Sequence, residues 1–274
     1  MSKKALVVAI AAAAGCAKSP LQAPPGPVVS TLIALDAELG GEPQAASAAF
    51  ASLQDIARRV EQRHHRTHAE IMDDIGAVVF DELGFAREID STDTRFFRLS
   101  TVLRDRRGSC LGLGALYLAI AERVGAPLDG ILLPSHFFVR THGSHSHNAE
   151  LLRRGEAMPD EWYRAKYGPW PEPGSAYFRP VSPAELAAIH WYNHGNDLRK
   201  KGQIAPAQAA FARAVSAFPE FAEAQASLGV VQQLRGDFVR AALSYRRAAR
   251  AWPDLPGLAG NIELLQRQLA PATR

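Results

Sequence analysis

Residues 106–125 read RRGSCLGLGALYLAIAERVG. Small and aliphatic side chains run almost without interruption from Cys110, and the spacing predicts a helix over 110–124, ended by Gly125 and Pro127. It begins on one of only two cysteines in 274 residues. A thiol attacks as the thiolate, and the free N–H groups and dipole at a helix amino end favour that form, as do the neighbouring Arg106 and Arg107. A lone cysteine also packs as a small hydrophobe, and the same stretch fits a tightly packed central helix.

Before this helix, apolar residues at helical spacing predict helices over 44–65 and 67–85, with Gly84 closing the second and a shorter helix over 93–107. After it the period changes. DGILLPSHFFVRT (129–141) is continuous and β-prone, and HNAELLRR (147–154) reads as a second short strand beyond a histidine-rich turn. Helices followed by strands predict an α+β unit over 44–169. Strand alternation puts Ser135, Phe137 and Val139 on one face and His136, Phe138 and Arg140 on the other. His136 is the candidate base for Cys110. Asn148 and Glu150 share a face of the next strand, so either can orient the imidazole. Arg140 is a candidate for binding a substrate carboxylate, or for pairing with Glu150.

The carboxy-terminal third repeats itself. A shift of 34 residues superposes Gly195 on Gly229, Gly202 on Gly236, Ala207 on Ala241, Phe211 on Tyr245, Ala214 on Ala248 and Pro219 on Pro253. That period, with small residues where helices cross and an aromatic between them, is the signature of tetratricopeptide repeats. The repeats are expected at 188–221 and 222–255, with a cap helix over 256–270 and a connection over 170–187. Two repeats are few for a free-standing array, so they are expected to lean on the first unit.

The amino terminus has Lys3 and Lys4, an apolar run over 5–14, then Gly15 and Cys16. The run is too short to span a bilayer but suits a signal peptide over 1–15. Residues 13–16 resemble a bacterial lipobox, which implies lipidation of Cys16. Residues 16–43 then read as a Pro/Gly-rich tether, and the protein as a lipoprotein of the bacterial cell envelope, outer membrane or periplasmic face. Removing Lys3 and Lys4 leaves +1 of the formal +3, too little to suggest a nucleic-acid partner. The basic stretch 58–66 reads as a solvated face, and so does the cluster of His64, His65 and His68. His142, His145 and His147 beside His136 invite zinc. Without a nearby carboxylate or thiolate pattern they read as polar turn residues, so no metal or other cofactor is expected.

A cysteine at a helix start, a histidine on the next strand and an acid or amide on the strand after it resemble the transglutaminase-like superfamily, in its compact bacterial branch joined to tetratricopeptide repeats. The likeness is carried by 106–140, by 147–168 and by the repeats. It implies a transglutaminase-like (papain-like cysteine) domain followed by an all-α repeat domain. It makes Cys110 the nucleophile, His136 the base and acid, and Glu150 the third member, with Asn148 as alternative. Leu111 and Glu150 stand where the family usually has an aromatic and an aspartate. Two functions follow. One is thiol-dependent acyl transfer or amide hydrolysis on a peptide or protein substrate. The other is an inactive scaffold whose repeats bind a protein partner, on groove residues such as Asn193 or Arg199.

Overall fold

The computed structural model describes residues 20–40, 43–63, 67–88, 93–126, 128–143, 146–171 and 175–270. The expected leader (1–15), Cys16, His64, His65 and His145 lie outside the described residues.

Residues 20–40 of the expected tether are folded, which corrects the 16–43 assignment there. After a 3-10 turn (Pro20–Gln22) comes α1 (Pro27–Glu38), with Val29, Leu32 and Leu35 buried. Proline and glycine suggest a loose chain, but its carbonyls have a use here. The buried guanidinium of Arg123 donates to the Leu21 and Pro24 carbonyls (2.6 and 3.1 Å) and to Gln54 (3.2 Å). The neighbouring Glu122 carboxylate accepts from the N–H groups of Val28 and Val29 (2.8 and 2.9 Å), which have no acceptor inside their own helix.

The helices α2 (Pro43–Glu61) and α3 (His68–Gly76) follow. A capping box between Thr67 and Glu70 starts α3, which continues as a π-helical turn, Ala77–Glu82. The expected 93–107 helix is divided. A 3-10 turn (Thr94–Phe97) leads into α4 (Leu99–Asp105), which Arg106 stops by taking a left-handed conformation (φ 52°). Two short strands, β1 (Ala86–Arg87) and β2 (Arg107–Gly108), pair in parallel and deliver the chain to α5 (Cys110–Val124).

Almost every residue of α5 from Leu111 to Ala121 is buried, because helices and sheet surround it. This explains the small side chains: a Cβ at Gly112 would lie 2.1 Å from the Phe96 carbonyl oxygen. The sheet is antiparallel in the order β3 (Leu128–Leu133), β4 (His136–Thr141), β5 (Asn148–Glu150), β6 (Glu156–Ala157). The apolar run 129–141 is therefore a hairpin rather than one strand. Pro134 and Ser135 (φ 58°) form its turn, so Ser135 leaves the face it was expected to share with Phe137. A 3-10 turn (Leu151–Arg153) links β5 to β6, and α6 (Asp160–Tyr167) lies against the sheet.

The repeats comprise α7 (Pro183–Lys200), α8 (Ile204–Ala217), α9 (Ala222–Leu234) and α10 (Phe238–Ala251), capped by α11 (Leu258–Leu269). A Cβ on Gly195 would fall 2.7 Å from the Phe211 ring, and one on Gly229 2.5 Å from the Tyr245 ring. Each repeat thus seats its aromatic in a glycine notch, which is the reason for the 34-residue period. A Ser182–Glu185 capping box starts α7 ahead of the expected repeat boundary at 188. The helix docks on the first unit just past that boundary: His190 is buried, with Nε2 3.1 Å from the Phe97 carbonyl oxygen. Among the described residues, no helix is long and apolar enough to cross a membrane.

Candidate functional site

Cys110 is the first residue of α5 and is partly exposed. Its position is fixed by Ser109, whose N–H donates to the Phe96 carbonyl (3.1 Å). The Ser109 hydroxyl accepts from the Gly112 N–H (3.1 Å), and its carbonyl accepts from the Leu113 N–H (2.9 Å). This cap uses two of the four free donors at the helix start. That leaves the N–H groups of Cys110 and Leu111 with no acceptor inside the helix.

His136 opens β4 and is 4% exposed. Its Nε2 lies 2.7 Å from Oε2 of Glu150, which is 1% exposed. With Nε2 taken by Glu150, Nδ1 is the ring nitrogen left for Cys110, whose sulfur is among the groups that raise the imidazole. Glu150 is itself fixed, since Oε1 accepts from the Leu152 N–H (3.1 Å). The His136 ring lies flat on Tyr167, with centroids 4.2 Å apart and planes 2° apart, and Tyr163 stacks on the adjacent Phe138 at 3.9 Å. Tyr163 and Tyr167 are four residues apart on α6, so one helix face covers the imidazole. Burial works against charge on His136. The hydrogen bonds to the Cys110 thiol and the Glu150 carboxylate outweigh it, and the imidazole is pushed up to about 9. Burial, with the Glu150 charge nearby, pushes the Tyr163 phenol up, so it stays neutral.

The two candidates for third member part company here. Asn148 is saturated on the far side: Oδ1 accepts from Arg140 Nε (2.7 Å), and Nδ2 donates to the Met158 carbonyl and Asp160 Oδ1 (both 2.8 Å). Arg140 pairs with Asp160 (2.5 Å) and lies over the Phe178 ring at 4.8 Å, rather than meeting Glu150. It does not line the cleft that holds Cys110. The arginines beside the cysteine are also engaged elsewhere. Arg106 donates to the Leu83 carbonyl (2.9 Å), and Arg107 pairs with Glu88 (3.3 Å). Of the loop histidines, His142 meets Asp129 at 3.1 Å and His147 lies 3.6 Å from Asp73. Among the described residues, no group of three or more His, Cys, Asp or Glu is placed to hold a metal ion.

Cys110 and His136 open on a cleft of about 400 Å³. One wall is the start of α5 and the β3–β4 turn. The opposite wall belongs to the repeats, with Tyr192, Asn193 and Asn196 of α7, and with Phe221 and Glu223 at the start of α9. A larger cavity of about 830 Å³, lined by Gln225, Arg247 and Arg250 among others, shares no residue with it. Sequence pattern pointed to Asn193 as a groove residue but did not join it to the thiol. Tyr167, Tyr192 and Glu223 were missed. The i, i+4 tyrosines of EWYRAKY (161–167) were the one available signal.

Residues 47–189 match the family model described as the transglutaminase-like superfamily, and residues 192–256 match a tetratricopeptide repeat model. The first match covers just over half of the chain, and the chain belongs to the transglutaminase-like superfamily. It is 34% identical over 67 residues to a UPF0162 protein of Xylella fastidiosa (24% of either chain). It is 32% identical over 73 residues to F-box only protein 21 of Mus musculus and of Homo sapiens (26% of this chain, 12% of theirs). The chain thus matches a quarter or less of the length of these relatives. A crystal structure described as revealing menin's binding site for Mixed Lineage Leukemia (MLL) protein aligns with a TM-score of 0.46 and 12% identity. That alignment covers 89% of this chain and 70% of that one.

Proposed function

We propose that the protein is a thiol-dependent acyl-transfer or amide-hydrolysing enzyme acting on a peptide or protein, with Cys110 as nucleophile, His136 as base and acid, and Glu150 as third member. The observation that carries this reading is His136 on the same cleft as Cys110, with a buried carboxylate 2.7 Å from its Nε2. His136 takes the thiol proton, and sulfur attacks the amide carbonyl. The oxyanion rests on the N–H groups of Cys110 and Leu111. The C–N bond then breaks, His136 protonates the leaving amine, and a thioester remains on Cys110. Water yields an acid, whereas a second amine yields a new amide, and either restores the thiol. Glu150 stabilises the imidazolium throughout.

Tetratricopeptide repeats generally mediate protein–protein interaction, and here they bring the partner or substrate to the cleft. The scaffold reading has one observation in its favour, Leu111 in place of the usual aromatic after the cysteine. The lipobox-like residues 13–16 support attachment to the cell envelope through Cys16. Pro20 already belongs to the folded body, so the three residues between it and Cys16 would keep Pro20 within roughly 14 Å of the lipidated residue.

The test uses hydroxylamine as acceptor with a pool of envelope-derived peptides. Peptide hydroxamates that require Cys110, and vanish in Cys110→Ala, support the enzyme. No hydroxamate from any pool, or equal yield from the variant, rejects it in favour of the scaffold.

A further inference from the structure

The lining of the thiol's cleft has no lysine or arginine, and His136 is its only basic group. It has two carboxylates. Glu88 already has a cation in Arg107, 3.3 Å away. Glu223, the second residue of α9, is different. Its partners are the Tyr177 hydroxyl and its own backbone N–H, both neutral donors, and among the described residues no lysine or arginine forms an ion pair with it. Burial pushes its carboxyl up to about 6, so it is ionised at neutral pH with most of its water removed. The start of α9 offsets part of that cost but supplies no full positive charge. Aromatic faces stand beside it. Tyr192 and Phe221 pack with centroids 4.7 Å apart, and both line the cleft, as does Tyr167. A desolvated carboxylate among aromatic rings is a setting that receives an alkylammonium ion.

We propose that Glu223 is a specificity-determining residue contributed by the repeats, which seats a primary ammonium group of the peptide substrate while its acyl carbon lies at Cys110. This rests on the reading of Cys110 as the nucleophile. It makes the cleft incomplete without the repeats, and it assigns the substrate class as peptides with a lysine side chain or a free amino terminus near the reacting carbonyl. A cleft of about 400 Å³ accepts a short segment of that kind.

The experiment uses the full chain and three peptide aldehydes: acetyl-lysyl-glycinal, acetyl-norleucyl-glycinal, and norleucyl-glycinal with a free amino terminus. An aldehyde adds reversibly to the Cys110 thiol, the C–S bond forming as the thiol proton passes to oxygen. Its occupancy is read as protection of Cys110 from iodoacetamide by peptide-resolved mass spectrometry. In the wild-type protein an ammonium-bearing probe should protect at a roughly tenfold lower concentration than the acetyl-norleucyl probe, the size of a charge-assisted hydrogen bond. Preference for the lysyl probe assigns the ammonium to a side chain, and preference for the free amine assigns it to the amino terminus. In Glu223→Gln the preference should fall to within about twofold, with the thermal midpoint as fold control. Equal protection by all three probes in the wild type, or a preference that survives in Glu223→Gln, overturns the inference alone. Failure of every aldehyde to protect overturns the thiol reading and this inference with it.

Discussion

Glu150→Gln is the sharpest perturbation of the site, because it removes a charge and almost no volume. In the wild type the rise of His136 from its free value of 6.5 to about 9 corresponds to about 3 kcal/mol of preference for the imidazolium. Glu150 shares that with the thiol, against burial. Loss of its charge-assisted hydrogen bond should cost roughly 1.5–3 kcal/mol. The imidazole becomes a weaker acceptor for the thiol proton by the same amount, a factor of roughly 10 to 150. The assay is the second-order rate of iodoacetamide alkylation of Cys110 at pH 7, resolved by peptide mass. The rate should drop by about that factor, and Asn148→Ala should leave it within about twofold, since Asn148 is committed to Arg140 and Asp160. A Glu150→Gln rate within threefold of wild type would refute the claim that the carboxylate raises the base.

Two further outcomes follow from the same geometry. His136 has a raised folded-state value, so its contribution to stability is fully present below about 6.5 and is lost as pH rises through about 9. The stability gap between the wild type and His136→Gln, from urea unfolding, should therefore narrow between pH 6 and pH 10. Arg123→Met should release residues 20–24 from the core, because the Leu21 and Pro24 carbonyls lose their donor. Amide exchange should accelerate at the start of α1 and the thermal midpoint should fall, by about 2–3 kcal/mol of stability.

Much of this arrangement was legible in the sequence, for identifiable reasons. The central helix announced itself through an uninterrupted small and aliphatic run, and the repeats through a period that the glycine notches under Phe211 and Tyr245 enforce. The order cysteine, histidine, acid carried the candidate triad. Other features had no local signal. Pro134 and Ser135 sit inside an apolar run, so the hairpin was read as one strand. Asn148 and Glu150 share a strand face, and what separates them is Asp160 on α6, a partner that no strand periodicity can indicate. The amino-terminal segment looked like a tether because its fixing groups, Glu122 and Arg123, lie about a hundred residues away. The repeat-built wall of the cleft was hidden for the same reason. It depends on how α7 docks through His190, and docking is a tertiary fact.

The central claim is that the thiol proton passes to His136, which the buried Glu150 carboxylate holds as an imidazolium at neutral pH. Nitrogen-15 chemical shifts of labelled histidines, with His136 assigned by its Gln variant and followed from pH 5 to pH 10, measure this directly. The account predicts that both ring nitrogens of His136 stay protonated through pH 8 and titrate near 9, with a lower midpoint in Cys110→Ala. A His136 that is neutral at pH 7 and titrates at or below 6.5 would contradict it.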